Sequence, residues 1–253
     1  MNRIYKNTSV LLLLMIAAAS LTGCKKDKKT EEPGFTCSTC KDVPDAKAEY
    51  NSNSKGIYKG IVVGSTGTLF IDIMNSGTVM KATMVLDGIT VNFTTVSVWT
   101  SGQPLVTDFT ATANSQVYSF RFSVDAVGGN ATTSSLTIPG HTIISFQLIK
   151  ETSDNLVKCY EGSTVGKKDS GAAQAGSLNV VISSKTNTWT ALSKDKLSTS
   201  GGINFVAGTI TGNTLNCNCG PTTTVTGVLD NDEIIGTYKG SDNSGTWNAK
   251  RTL

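Results

Sequence analysis

The chain has 253 residues, 38% of them hydrophobic, 7% aromatic and only 16% charged, with 25 Gly, 36 Thr and 26 Ser. So small a charged fraction beside so much Gly excludes a coiled coil and argues against a charge-driven disordered chain. The formal net charge of +3 falls to +1 without Arg3 and Lys6 at the N-terminus, which leaves no basic field for nucleic acid. One histidine, His141, and no acidic or His/Cys cluster of familiar spacing leave most metallohydrolase and triad chemistries without their parts. No cofactor is expected.

Arg3 and Lys6 precede the uncharged run Val10–Ala19, which ends in Ser20-Leu21-Thr22-Gly23-Cys24. An apolar stretch of about ten residues is too short to span a bilayer and reads as a signal peptide over 1–23. Leu21-Thr22-Gly23-Cys24 resembles the bacterial lipobox. That resemblance implies cleavage before Cys24, diacylglycerol on its thiol and acylation of its freed amine. Acyl chains at ~0.8 kcal/mol per buried methylene then hold the protein on a membrane without spanning it. Residues 24–49 read as a tether, opening with the charged, aperiodic Lys25–Gly34. Lys25 follows the lipidated position, where enterobacterial lipoproteins retained at the inner membrane carry Asp, so the resemblance implies the outer membrane. A lipobox, a Lys/Asp tether and a Thr/Asn/Gly-rich β body together look like lipoproteins of the Bacteroidetes.

From about residue 55 onward, period-two alternation predicts an all-β body, with one helical turn at Pro44–Tyr50. The opening strand Ile57-Tyr58-Lys59-Gly60 with Gly67–Ile73 is echoed by Cys159-Tyr160-Glu161-Gly162 with Gly176–Ile182. Laid together, positions 69, 71 and 73 match 178, 180 and 182, all aliphatic, so the repeat marks a core face. Two related units are expected, 50–152 and 153–253, each a small sandwich or barrel built as an antiparallel meander. One fused β body is the alternative, because Lys150–Leu156 holds no Pro or Gly. Asp87-Gly88 between 78–86 and 89–96 predicts a type I′ hairpin. In Val117–Val124, residues 118, 120, 122 and 124 are apolar and the intervening ones polar, as a half-buried strand requires; Ile144, Phe146 and Leu148 repeat this. A second hairpin is expected over 222–238 about Asp230-Asn231-Asp232, with a last strand at 246–252. Ile235-Gly236-Thr237-Tyr238 and Ser244-Gly245-Thr246-Trp247 resemble the closing strands of avidin-like or lipocalin-like barrels.

Beyond Cys24 there are five cysteines, Cys37, Cys40, Cys159, Cys217 and Cys219, and an oxidising envelope favours disulfides. Cys159, on a strand before Tyr160, is the candidate free thiol. Two cysteines at i and i+2 of an extended strand are poorly placed to bond unless Asn218 turns. Cys37 and Cys40 therefore either close on each other, which forces the Cys217–Cys219 link, or reach across to Cys217 and Cys219 and pin the tether to the second unit; the second option is physically easier and is the expectation. Ranked below this are a zinc site built from those four and redox chemistry at Cys37–Cys40.

Glu161 and Glu233 are the only carboxylates that read as a possible hydrolytic pair, and Asp230, Asp232 and Asp242 as possible calcium ligands; solvated strand faces and turn formation explain them better. Trp99 and Trp189, each next to a loop, are the candidate ligand-binding residues, and Trp247 is assigned to the core. No catalytic residue is nominated. The expectation is a lipid-anchored binding module for a glycan or protein. A structural or assembly role in the envelope follows it, and a hydrolase comes third.

Overall fold

A computed structural model describes residues 35–141, 144–196 and 203–253, so the leader, the lipobox with Cys24 and the first part of the tether, 24–34, lie outside the described residues. Among the described residues, sixteen strands follow one 3-10 turn, Ala48–Tyr50. The first eight are β1 (Gly56–Val63), β2 (Gly67–Ile73), β3 (Met80–Leu86), β4 (Ile89–Thr94), β5 (Leu105–Ala113), β6 (Gln116–Val124), β7 (Thr132–Thr137) and β8 (Ser145–Glu151). The second eight are β9 (Val157–Lys168), β10 (Ala173–Ser183), β11 (Thr188–Asp195), β12 (Ile203–Thr211), β13 (Thr214–Cys217), β14 (Thr224–Asp230), β15 (Glu233–Lys239) and β16 (Asn243–Arg251).

Each set is one antiparallel meander whose last strand returns to its first. β1 to β7 pair in sequence and β8 joins the free side of β1, giving a nearly closed barrel with its seam between β7 and β8. β9 to β16 close completely, β16 pairing with β9. The echo read in the sequence is a structural register. Tyr58 lies opposite Ile71 and Gly60 opposite Leu69; in the second barrel Tyr160 lies opposite Val180 and Gly162 opposite Leu178. Both glycines are close approaches: a Cβ on Gly60 would run into the β8 backbone at Gln147, and one on Gly162 into β16 at Asn248. Asp87 and Gly88 both take positive φ, at 51° and 77°, as a type I′ turn requires.

The two interiors are filled differently. In the first barrel the inward positions carry bulk: Phe109 stacks on Phe120 at 5.1 Å, Phe93 meets Phe120 edge-on at 5.0 Å, and Tyr58 meets Phe122 at 5.0 Å. In the second barrel many inward positions are Gly or Ala, including Gly162, Gly208, Gly227, Gly236, Gly245, Ala191 and Ala249.

The barrels share one compact unit, Gly34–Leu253. They pack through strand faces that would otherwise be outward. Ile61 from β1 sits in an apolar cluster with Val157, Cys159, Val181 and Leu192. Beside it Lys59 Nζ meets Glu151 Oε2 at 2.7 Å, with side chains only 4% and 0% exposed. Glu151 also accepts the amides of Asp45 (2.7 Å) and Val157 (3.1 Å), which satisfies a carboxylate that burial would otherwise penalise heavily. Asn179 Nδ2 donates to the carbonyl oxygens of Val62 and, at 2.8 Å, Ser65, tying β10 to the end of β1.

Candidate functional site

Interior residues of the second barrel recur at every second position. The rising and falling strands therefore divide it into two ends. One end, where β9, β11 and β14 leave off or begin at Val157, Thr188 and Asp230, is capped. There Arg251 is 1% exposed and donates from Nη1 to Asp232 Oδ1 at 3.2 Å and to Asp42 Oδ1 at 3.1 Å, and from Nη2 to the Lys41 carbonyl. Asp232 Oδ2 accepts the Cys37 amide at 3.0 Å and its own amide donates to the Phe35 carbonyl at 3.1 Å. The segment that leads in from the tether is thus bound across this end.

The opposite end opens into a cavity of about 490 Å³, within the range of small-ligand sites. Its floor is aromatic. Trp189 on β11 and Trp247 on β16 are 1% and 4% exposed, with ring centroids 6.3 Å apart and planes within 22°. Each ring lies over glycine on a paired strand: Trp189 opposes Gly208, and Trp247 opposes Gly236 and reaches on to Gly227. A Cβ on Gly208 would come 2.7 Å from Trp189 Nε1, and one on Gly227 2.6 Å from Trp247 Cζ2. Tyr238 likewise lies over Gly245 and Gly166. Glycine opposite an aromatic lets the ring lie flat against the wall and leaves the lumen open. The indole N–H groups are tied back to the wall, Trp189 Nε1 to the Asn216 carbonyl at 3.2 Å and Trp247 Nε1 to that of Thr237 at 3.3 Å.

Leu178, Ala191, Val206 and Val225 continue the apolar lining, and the rim is polar, with Thr164, Gln174, Ser193, Asp195, Asn204, Thr223, Asp242 and Asn243. Gln174 Oε1 is buried with no hydrogen-bond partner among the described residues.

The sequence candidates scatter. Trp189 lies in the cavity. Trp99 does not: it packs against the first barrel's core, donates from Nε1 to Ser54 Oγ at 2.8 Å and lies under Lys55 Nζ at 4.1 Å. Trp247 belongs both to the core and to the cavity floor. Glu161 and Glu233 stand on the outer wall on either side of Lys250, each cross-strand from it, rather than across a cleft. Burial pushes the Glu161 carboxyl above its ordinary range, although Thr252 Oγ1 donates to it at 3.0 Å. Asp232 is taken by Arg251 and Cys37, not by a calcium loop, and no group of three or more potential metal ligands occurs among the described residues. His141 Nε2 sits 3.1 Å from Asp87 Oδ2, at the first barrel's hairpin.

The preferred long-range disulfides are corrected, and the local alternative is the one found. Cys37 bonds to Cys40 and Cys217 to Cys219, both locally, with Cα separations of 5.4 and 5.2 Å. The β13 strand ends at Cys217, so Asn218 is free of the extended geometry that would hold two such cysteines apart. These bonds also use all four thiols of the imagined zinc site. Cys159 is buried and free, and burial pushes its thiol up to about 12.

What the sequence reading missed is the cavity. Its signal was present as Gly236-Thr237-Tyr238 and Gly245-Thr246-Trp247, where glycine and aromatic share one strand face, but the opposing partner strand has to be known before the pairing means anything. Comparison of the chain with protein-family models, with characterised proteins and with solved structures gives no match.

Proposed function

We propose that the chain is an outer-membrane lipoprotein, anchored through Cys24, whose second barrel binds a small ligand in its open mouth. The observation that carries this is the interior of that barrel: glycines opposite Trp189, Trp247 and Tyr238 keep a lumen of about 490 Å³ clear. A purely structural unit gains stability by filling such a space, as the first barrel does. The mouth also lies at the end remote from the segment Phe35–Asp42, so a tether leading into that segment leaves the mouth unobstructed.

Native mass spectrometry of the full lipidated chain, exposed to a small-molecule extract of its own envelope, tests the binding site. A mass adduct on the native chain that is lost in Ser193→Trp, which plugs the mouth, supports it; an adduct unaffected by the plug, or none on either, overturns it. Palmitate labelling tests the anchor separately: it should vanish in Cys24→Ser, and label that persists overturns the lipidation.

A further inference from the structure

The cations of the second barrel gather at its open end. β9, β11 and β15 all run toward the mouth and bring Lys167, Lys168, Lys194 and Lys239 there, with Lys196 just past the end of β11. Three carboxylates share that end, Asp169, Asp195 and Asp242, and Asp195 is already engaged. None of the five lysines is in an ion pair among the described residues, whereas every described Lys and Arg elsewhere except Lys158 holds a carboxylate, a carbonyl or an aromatic ring. Lys168 lies opposite Asn243, which lines the cavity, so the two share the inward face. Lys167, Lys194 and Lys239 alternate to the outer side of the lip, where flexible four-carbon stems let their ammonium groups swing over it. A cleft ringed mainly by one sign of charge draws in the opposite sign.

Beneath this collar the lining turns apolar, with Leu178, Ala191, Val206 and Val225. Trp189 and Trp247 close the floor at 1% and 4% exposure, and both indole N–H groups are spent on wall carbonyls, so the floor presents neither an open aromatic face nor a free indole donor. A wholly polar anion would leave this space unfilled, and an uncharged apolar molecule would leave the collar unused. Gln174, at the level of the rim, has a buried Oε1 without a partner among the described residues; with its terminal amide turned over, an N–H takes that place and becomes a donor for an anionic head.

We infer that the mouth takes an amphipathic anion, an apolar body bearing a carboxylate or a phosphate, with the body in the lumen and the charge among the collar lysines. This rests on the mouth being the binding site.

The test is calorimetry on the full chain in nanodiscs of zwitterionic lipid, with empty nanodiscs as the blank for partitioning. Octanoate, octyl phosphate, octanol and octyltrimethylammonium share one tail and differ in the head, and inorganic phosphate supplies a head alone. The two acids should bind about tenfold more tightly than octanol, and the tighter of them names the head. Lys168→Gln combined with Lys239→Gln should close most of that gap at an unchanged melting temperature, as should added salt, while octanol binding stays where it was. Octanol or the ammonium bound as tightly as the acids, inorganic phosphate bound as tightly as octyl phosphate, or no octyl compound bound overturns the assignment. If the native chain still shows a plug-sensitive mass adduct, the mouth itself stands. Acid binding that survives Ser193→Trp overturns both.

Discussion

Tyr58 and Tyr160 occupy the same register position in their two barrels, yet only one hydroxyl has a partner. Tyr58 Oη donates to the Ser54 carbonyl at 2.9 Å, while Tyr160 Oη is buried with no partner among the described residues. Burial pushes both phenols well above the ordinary tyrosine range. Removing a satisfied hydroxyl loses its bond, and removing an orphan relieves a desolvation penalty. Tyr58→Phe should therefore destabilise by about 1 kcal/mol, and Tyr160→Phe should be neutral or stabilising, as read by urea unfolding. Equal losses would show that Tyr160 has a partner in solution.

The Lys59–Glu151 pair should behave as a buried ion pair. Glu151→Ala strands the Lys59 ammonium and also frees the amides of Asp45 and Val157, so a loss of about 3–5 kcal/mol is expected. Lys59→Met with Glu151 intact should cost a similar amount, and the double change less than the sum of the two. Strict additivity in the cycle would mean that the two charges do not interact.

Gly236→Ala places a methyl group inside the Trp247 indole, while Gly77→Ala meets nothing within 4 Å. The first should cost about 1–3 kcal/mol through overpacking and shift the tryptophan emission. The second should stay within about 0.5 kcal/mol of the parent. A neutral Gly236→Ala would show that the indole has room to move off the wall.

Lys150 carries a pH signature. Its ammonium donates to the Tyr50 carbonyl at 2.7 Å and to that of Asn53, but burial outweighs this and lowers its pKa to about 8. With the unfolded value at 10.5, the unfolded chain holds the extra proton between these two values, so this group's contribution to stability rises as pH climbs from about 8 to 10.5. Below about pH 8 both states are protonated and the full burial penalty applies. The stability difference between the parent and Lys150→Met should therefore narrow in the parent's favour across that window. A flat difference would refute the shift.

Non-reducing peptide mapping should return Cys37–Cys40 and Cys217–Cys219, with Cys159 unalkylated until the chain unfolds. Closing loops this short contributes no more than about 2 kcal/mol each in the chain-entropy picture, far less than a bridge between tether and second barrel would. A Cys37–Cys217 peptide would restore the long-range pairing.

The all-β class, the Tyr-x-Gly echo and the Asp87-Gly88 turn were legible because each depends on neighbours in sequence: period two, a local repeat, a dipeptide with positive φ. The site was not. Lys59 reads as a solvated strand residue, and it is buried only because a second barrel covers the outer face of β1. Trp99 and Trp189 look alike beside their loops; what separates them is Gly208, nineteen positions after Trp189 and opposite it only after the barrel closes. The local Cys217–Cys219 bond depends on β13 ending at Cys217, a boundary that the alternation of residues does not mark.

Two copies of one meander, one solid and one hollow, also bear on how this protein can change. The solid copy and the sealed face between the barrels secure folding, so Gln174, Ser193, Asn204 and Asn243 at the far rim touch none of the contacts that hold the halves together. Under the proposed binding role, substitutions there should alter recognition with little penalty to the scaffold. The hollow barrel is thus the half whose rim can change at least cost to the fold, while its twin serves as ballast.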